Sequence, residues 1–451
     1  MKLRVANLGR IGEAELDIRP LTVLIGTTGT NKTWTAYALY AALRLLAWNK
    51  ANKHPGGLVL PREIMDPAAL RTVELLERLK TVSSSQVEVE IQRAEVFGAT
   101  RTSLSIGPIA RELEQAIGVG VQPITRVAIT LEPTDFAQTA PDVLRLSFNG
   151  GSGNLQSSTF LRGGNSIRKN VYLYTGAPAE NGRRDTLASL IEDLALPHPE
   201  NVLALPAERA MIAQSHSSVR LQSTPIQDFA AFMDDAATAA EVRTGREFAN
   251  ARDLSRLLAS SVLRGTPQCL PESERRLEFV PLGVHPPVLP IRAAASLAKS
   301  MTPLAFYLAY YATSGDALVI DEPEMNAHPE AVVALTELLA ALANRGVHVI
   351  LTTQSPYLVD HLTNLMEAFH LPQEQRDRLA PRLKLGTASA FIDPEKVSVY
   401  EFEDKGDRVD VNIRVKREDR SIDWSTFARV SDETTNLYGE ILELGDTGGK
   451  L

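Results

Sequence analysis

An α/β fold with mixed sheets and an inserted helical lobe is predicted for this chain of 451 residues by three observations. The apolar run Leu21-Thr-Val-Leu-Ile25 has strand character and leads through a glycine-bearing loop into the helix-forming stretch from Trp34 to Leu46. A second apolar run, Ala317-Leu-Val-Ile320, ends in the acidic pair Asp321-Glu322. Between the two, from about Thr224 to Leu263, Phe229, Phe232, Met233, Val242 and Leu254 recur at helical rather than strand spacing.

Taken in order, Leu3 to Leu8, Ala14 to Ile18 and Leu21 to Ile25 predict three short strands, the last delivering the loop. Lys50 to Gly57 reads as a surface excursion, and Pro67 to Thr81 carries helical spacing. The alternation Gln86-Val-Glu-Val-Glu-Ile-Gln92 predicts a strand, as do Val127 to Leu131, Val143 to Phe148 and Val171 to Tyr174, with turns such as Asn149-Gly-Gly-Ser-Gly-Asn154 between them. After the helical stretch, Arg276 to Leu282 and Pro287 to Arg292 predict a hairpin, and Ser300 to Tyr311 a helix. Beyond the acidic strand come a helix over Ala331 to Asn344, a strand over His348 to Gln354 and a hairpin from Val397 to Phe402 with Val409 to Ile413. The expected division is 1–210 as the first part of a head, 211–275 as the helical lobe and 276–451 as the second part of the head.

Composition narrows the class. With 44% hydrophobic and 23% charged residues the chain is an ordinary globular one, not a disordered one. A net charge of −8 offers no global attraction for nucleic acid. Cys269 is the only cysteine, which excludes an intrachain disulfide and a cysteine-based zinc site and fits a reducing compartment. The start, Met1-Lys-Leu-Arg-Val-Ala-Asn7, has no apolar signal core, and no apolar run reaches the roughly 20 residues a bilayer requires, so the expected location is the cytoplasm, with no membrane partner.

The loop Gly26-Thr27-Thr28-Gly29-Thr30-Asn31-Lys32-Thr33 has the spacing of a phosphate cradle, G-x-x-x-x-G-K-[ST], save that Asn31 stands where glycine is usual. Its backbone N–H groups and the positive end of the helix behind it suit phosphates, with Lys32 near the β and γ groups of ATP. Thr33 is expected to supply an oxygen to Mg2+, Asp321 to hold the same ion through its water, and Glu322 to orient and polarise the attacking water. Asparagine tolerates left-handed backbone angles, so an altered but working loop is expected.

The run Asp321-Glu-Pro-Glu-Met-Asn-Ala-His328-Pro329 resembles that of the ABC-type P-loop ATPase heads of the RecF, SMC and OLD proteins. The resemblance extends to the amino-terminal strands, to Leu205-Pro-Ala-Glu-Arg209, to Ala295-Ser-Leu-Ala-Lys-Ser300 and to Thr352-Thr-Gln-Ser-Pro356, and is nearest to short, coil-free members found in bacterial anti-phage systems. It implies ATP-dependent dimerisation of heads. Ser296 and Lys299 then match the signature loop that reaches the partner's nucleotide, with Leu297 where glycine is usual. Gln354 matches the switch position, where a histidine is usual, and serves as a second catalytic candidate. An amide there can hydrogen-bond phosphate but cannot carry charge, which implies slow hydrolysis. His328 either faces the dimer or caps the following helix. Arg209 either reaches the nucleotide or partner head, or pairs with a buried carboxylate.

Two functions follow from the resemblance. One is an ATPase whose nucleotide-dependent homodimer or higher assembly is a sensor or clamp in DNA maintenance or phage defence, with a separate effector protein. The other is a slowly hydrolysing, nucleotide-gated scaffold that holds and releases a partner, motivated by Asn31, Leu297 and Gln354. A transporter ATPase fits less well, because its head is contiguous while Thr33 and Asp321 stand far apart here. Nucleic acid stays open as a partner through Arg162, Arg168, Lys169, Arg183 and Arg184, against the plainer reading of these charges as solvated surface.

Overall fold

The computed structural model describes residues 1–51, 74, 86–92, 102–105, 114, 117, 125–131, 143–149, 154–162, 165–169, 199–212, 223–242, 251–269, 277–416, 418–423 and 433–442. In chain order the elements used below are β1 (Lys2–Leu8), β2 (Ile11–Asp17), β3 (Leu21–Gly26), α1 (Lys32–Ala51), β4 (Gln86–Gln92), β5 (Thr102–Ser105), β6 (Arg126–Leu131), β7 (Val143–Asn149), β8 (Asn154–Arg162), β9 (Asn165–Lys169) and β10 (Val202–Leu205). Then follow α2 (Arg209–Ile212), α3 (Thr224–Val242), α4 (Arg252–Leu257), β11 (Gly265–Cys269), β12 (Leu277–Pro281), β13 (Leu289–Pro290), α5 (Ser296–Phe306), β14 (Ala317–Asp321), α6 (Pro329–Asn344), β15 (His348–Thr353), α7 (Pro356–Phe369), α8 (Gln373–Leu379), β16 (Val397–Asp404) and β17 (Val409–Ile413).

A mixed ten-stranded sheet, ordered β10-β14-β15-β3-β16-β17-β2-β1-β6-β5, forms the frame. The run from β10 to β16 is parallel, and β1, β2, β5 and β6 pair antiparallel. β3 lies inside the parallel run, and all six of its residues are buried, as a near-continuous apolar run in a parallel sheet requires. Leu21, Val23 and Ile25 point to the core formed with α5, α6 and α7, while Leu24 points to the core beneath α1. Because these strands are parallel, the ends of β3, β14 and β15 reach one edge together. Loops at that edge of an open α/β sheet are where ligands bind.

Phe229, Met233, Leu254 and Leu258, from the stretch expected as a helical lobe, share the larger core with β3 and β14. The expected helix over Ser300 to Tyr311 starts earlier, at Ser296, and its last turn widens to a π-helix from Tyr307 to Tyr311. The hairpin expected from 276 to 292 forms as β12 and β13, and β11 joins it in a separate three-stranded sheet. β4 and β7 to β9 form a further antiparallel sheet, in which the pairing of Asn149 with Asn154 makes β7 and β8 a hairpin. The expected helix over 67–81, apart from Glu74, and the strand over 171–174 lie outside the described residues, as do Arg183 and Arg184. No helix among the described residues is long and apolar enough to cross a membrane.

Candidate functional site

The loop between β3 and α1 turns twice through backbone angles that L side chains disfavour. Gly29 takes φ +81, and Asn31 takes φ +63, in the left-handed region that asparagine tolerates better than most residues. The Asn31 side chain explains why it can replace glycine. Its Oδ1 accepts the Arg10 N–H at 3.0 Å, so it is turned away from the cradle and onto the β1–β2 turn. Gly9 in that turn has no Cβ, and one built there would overlap the Asn31 amide. Gly26 is held as closely, because an added Cβ would fall 2.5 Å from the Phe402 carbonyl of β16.

Thr30 Oγ1 donates to the Thr27 carbonyl at 2.7 Å and closes the loop. Lys32 opens α1, is almost fully buried, and donates to the carbonyls of Gly26 and Thr27 at 2.8 and 2.7 Å. Burial holds its ammonium pKa below the usual lysine value, opposed by the nearby carboxylates of Glu322, Asp321 and Glu324. The loop thus carries a buried cation at a helix N-terminus, which suits a polyanion.

The acidic pair arrives from β14. Asp321 Oδ1 accepts from Thr33 Oγ1 at 3.0 Å and also from Thr352 Oγ1 of β15. Burial pushes its carboxyl above the ordinary aspartate range, while the two hydroxyls pull it back. Two hydroxyls and a desolvated carboxylate are the hard oxygen donors that Mg2+ takes, so Thr33 and Asp321 fit that ion.

Glu322 leaves extended geometry with φ +47, a conformation that costs a residue of its kind roughly 1–3 kcal/mol. It persists because its N–H is tied to Thr352, at 3.2 Å to the carbonyl and 3.1 Å to Oγ1. Gln354 bridges the cradle to this carboxylate. Its Oε1 accepts from Thr28 at 3.0 Å, and its Nε2 donates to Glu322 Oε1 at 2.5 Å. Glu324 in turn sets Gln354, accepting Thr353 Oγ1 at 2.7 Å and the Gln354 N–H at 2.8 Å on Oε1. Its Oε2 is buried with no hydrogen-bond partner among the described residues, and burial raises its pKa.

Gly26 to Thr33, Asp321, Glu322 and Gln354 are therefore assembled in one place. Ser296 and Lys299 are not part of it. They begin α5 on another element, with Ser296 exposed, and the hydrogen bonds of the loop do not involve them. The cap position of that helix is Ala295. His328 does cap α6, its Nδ1 accepting the Glu330 N–H at 3.3 Å. Arg209 is fully buried and so does not reach a partner head; it donates only to backbone carbonyls among the described residues, while the carboxylates of Asp321, Glu324 and Glu322 attract it through space without a hydrogen bond.

Thr352 and Glu324 are site residues that sequence reasoning passed over. Glu324 had a visible signal in the second acid of Asp-Glu-Pro-Glu, and Thr352 one in its position at the end of an apolar strand. Arg162, Arg168 and Lys169 fall on β8 and β9 of the four-stranded sheet, and their side chains lie outside the described residues. No cluster of metal-ligating side chains of the His, Cys, Asp and Glu type occurs among the described residues.

Residues 293–360 match the family described as "AAA domain, putative AbiEii toxin, Type IV TA system". That segment includes Ser296, Lys299, Asp321, Glu322 and Gln354, and leaves the loop at 26–33 outside it. No curated protein matches the chain. Among solved structures, an Smc head bound to the C-winged helix domain of ScpA is 13% identical with a TM-score of 0.42, over 91% of this chain and 97% of that one. An Smc head with an extended coiled coil, bound to the C-terminal domain of ScpA from Pyrococcus furiosus, is 12% identical with a TM-score of 0.39, over 96% and 98%. The SMC head domain from Thermotoga maritima is 8% identical with a TM-score of 0.33, over 91% and 97%. Likenesses this distant say nothing of what this chain binds.

Proposed function

We propose that this chain binds ATP with Mg2+ and hydrolyses it. The observation that carries the reading is the hydrogen bond from Thr33 to Asp321, which joins residues 288 positions apart directly behind a glycine-bearing loop at a helix N-terminus. A chance glycine turn has no reason to meet a buried strand-end carboxylate there. In this reading the N–H groups of Gly26 to Thr33 and the Lys32 ammonium hold the phosphates. Thr33 and Asp321 hold Mg2+, which when bound neutralises developing charge on the phosphate oxygens. Glu322 orients the attacking water, and Gln354 fixes the Glu322 carboxylate while reaching toward the phosphates through the loop.

The assembly is a nucleotide-dependent homodimer or larger oligomer in which Ser296 and Lys299 complete the site of the partner subunit. Their place on a separate helix start, with Ser296 exposed, supports this. Such an assembly serves as a sensor or clamp for a separate effector in DNA maintenance or phage defence. The toxin–antitoxin wording of the matched family supports the defence branch. One observation favours the slower, scaffold-like reading: Gln354 donates to Glu322 where a charged group could have acted on phosphate directly.

Steady-state ATP hydrolysis, with and without double-stranded DNA, tests the proposal beside Lys32→Ala and Glu322→Gln and a mass measurement of each sample. Turnover should be lost in both variants, with Glu322→Gln retaining ATP and accumulating the assembly. Turnover that survives both would refute the assigned site. ATP-dependent assembly without turnover in the unaltered protein would establish the scaffold.

A further inference from the structure

Arg209 has no solvent exposure, and burial lowers its guanidinium pKa to about 10. A cation is taken out of water only where its surroundings return what hydration gave. Here four hydrogen bonds, all to backbone carbonyls, do so together with the through-space attraction of the Asp321, Glu324 and Glu322 carboxylates. Nε donates to Ser300 at 3.1 Å, Nη1 to Pro206 at 3.1 Å and to Asp321 at 2.7 Å, and Nη2 to Glu322 at 2.8 Å.

The last two contacts are informative together. In an extended strand, consecutive carbonyls point to opposite sides, so one guanidinium cannot donate to both. Asp321 and Glu322 present both because the chain leaves extended geometry at Glu322, with φ +47. The Arg209 fork therefore fits the turned conformation and not a continued strand. Together with Thr352 on the Glu322 N–H, it holds that residue's backbone on both sides. The Nε contact ties the same guanidinium to Ser300, one turn after Ser296 and next to Lys299 on α5.

We infer that Arg209 is a positioning residue: it locks Glu322 in the left-handed turn that aims its carboxylate, and couples that turn to α5 one turn after its start. The inference rests on Glu322 as the water-orienting group. A lysine keeps the charge but lacks the planar fork, so it cannot serve the two consecutive carbonyls in the same way. Arg209→Lys should therefore leave ATP affinity within about twofold and KM little changed, while kcat falls at least about tenfold, because a small misplacement of a reacting group is costly. Arg209→Met, which fills the space without any donor, should fall further in kcat.

The experiment measures kcat, KM, the affinity of a fluorescent ATP analogue and amide hydrogen exchange in the full-length protein and both variants. In Arg209→Lys, exchange should rise together in segments 297–303 and 320–326, with α6 unchanged. Unchanged kcat in a folded Arg209→Lys, or loss of affinity, kcat and melting temperature in parallel, would overturn the inference. If the unaltered protein does not hydrolyse ATP, the proposed function fails on that result. The exchange pattern still decides Arg209: a coupled rise in the two segments sustains the lock, and no rise, or a rise everywhere, refutes it.

Discussion

Replacing Gly9 by Ala should destabilise the protein by way of a residue 22 positions further along, and the reason lies in the unusual asparagine of the phosphate loop. Gly9 sits at φ +60, where an L side chain costs roughly 1–2 kcal/mol. The added methyl would also fall 2.8 Å from Asn31 Cγ and 2.9 Å from its Oδ1, closer than real Cβ atoms approach. Asn31 must then swing off the Arg10 N–H, giving up a hydrogen bond worth about 1 kcal/mol. The sum is about 2–3 kcal/mol for Gly9→Ala. In an Asn31→Gly background the amide is already gone, so only the backbone cost of roughly 1–2 kcal/mol remains. A double-mutant cycle should therefore show a coupling of about 1 kcal/mol. Urea unfolding followed by tryptophan fluorescence, with Trp34 on α1 close to the loop, measures it. ATP affinity supplies a second readout. Asn31 already adopts the left-handed angle and turns its side chain away from the cradle, so Asn31→Gly should bind ATP within about threefold of wild type. Additive stabilities, or a tenfold gain in affinity from Asn31→Gly, would refute the reasoning.

Two further predictions concern residues that support the acidic pair. Thr352 is fully buried, donates to Asp321 and accepts the Glu322 N–H, so Thr352→Val should cost about 1–2 kcal/mol and lower kcat more than ATP affinity, with Thr352→Ser restoring both. Equal kcat in all three proteins would sink it. Burial raises the Glu324 carboxyl above its ordinary value of 4.5, so between that value and the raised one the folded chain holds more protons than the unfolded chain, and stability falls as pH rises through the window. Glu324→Gln has no such proton to lose. Its stability relative to wild type should climb from about pH 4.5 upward and level off once the folded carboxyl has ionised, which urea midpoints across that range will show. A difference that stays flat with pH would mean the folded carboxyl is not raised.

The readable part of the fold is the part whose residues face one environment along their whole length. β3, β14 and β15 are buried on both faces and read as near-continuous apolar runs, and α6 and the β16–β17 hairpin carry clean periods. β10 has only four residues, too few for a period, and the sequence alone announces no strand there. α7 carries Leu358, Val359, Leu362, Leu365 and Met366 at helical spacing after a proline at its first turn, a start signal present in the sequence. The separate sheet of β11 to β13 had no local signature, because strand partners are chosen by tertiary packing and not by the strands' own pattern.

The site divides along the same physical line. Lys32, Thr33, Asp321 and Glu322 could be read because their chemistry resides in side chains at fixed spacing from a loop or strand end. Arg209 could not, because its partners are carbonyls, and where a carbonyl points depends on a backbone angle that side-chain identity does not announce. Glutamate at φ +47 is an unfavourable choice locally, sustained by Thr352 from one side and Arg209 from the other. Those two residues are 143 positions apart and act on one peptide unit's neighbours, so neither is meaningful until the turn is known. The same holds for Asn31, whose left-handed angle was foreseeable from its type, while its grip on Arg10 required the β1–β2 turn to be folded against the loop. Departures from a motif are thus legible as residues but not as consequences: whether one disables the site or is absorbed by it depends on the partner that the rest of the fold brings to it.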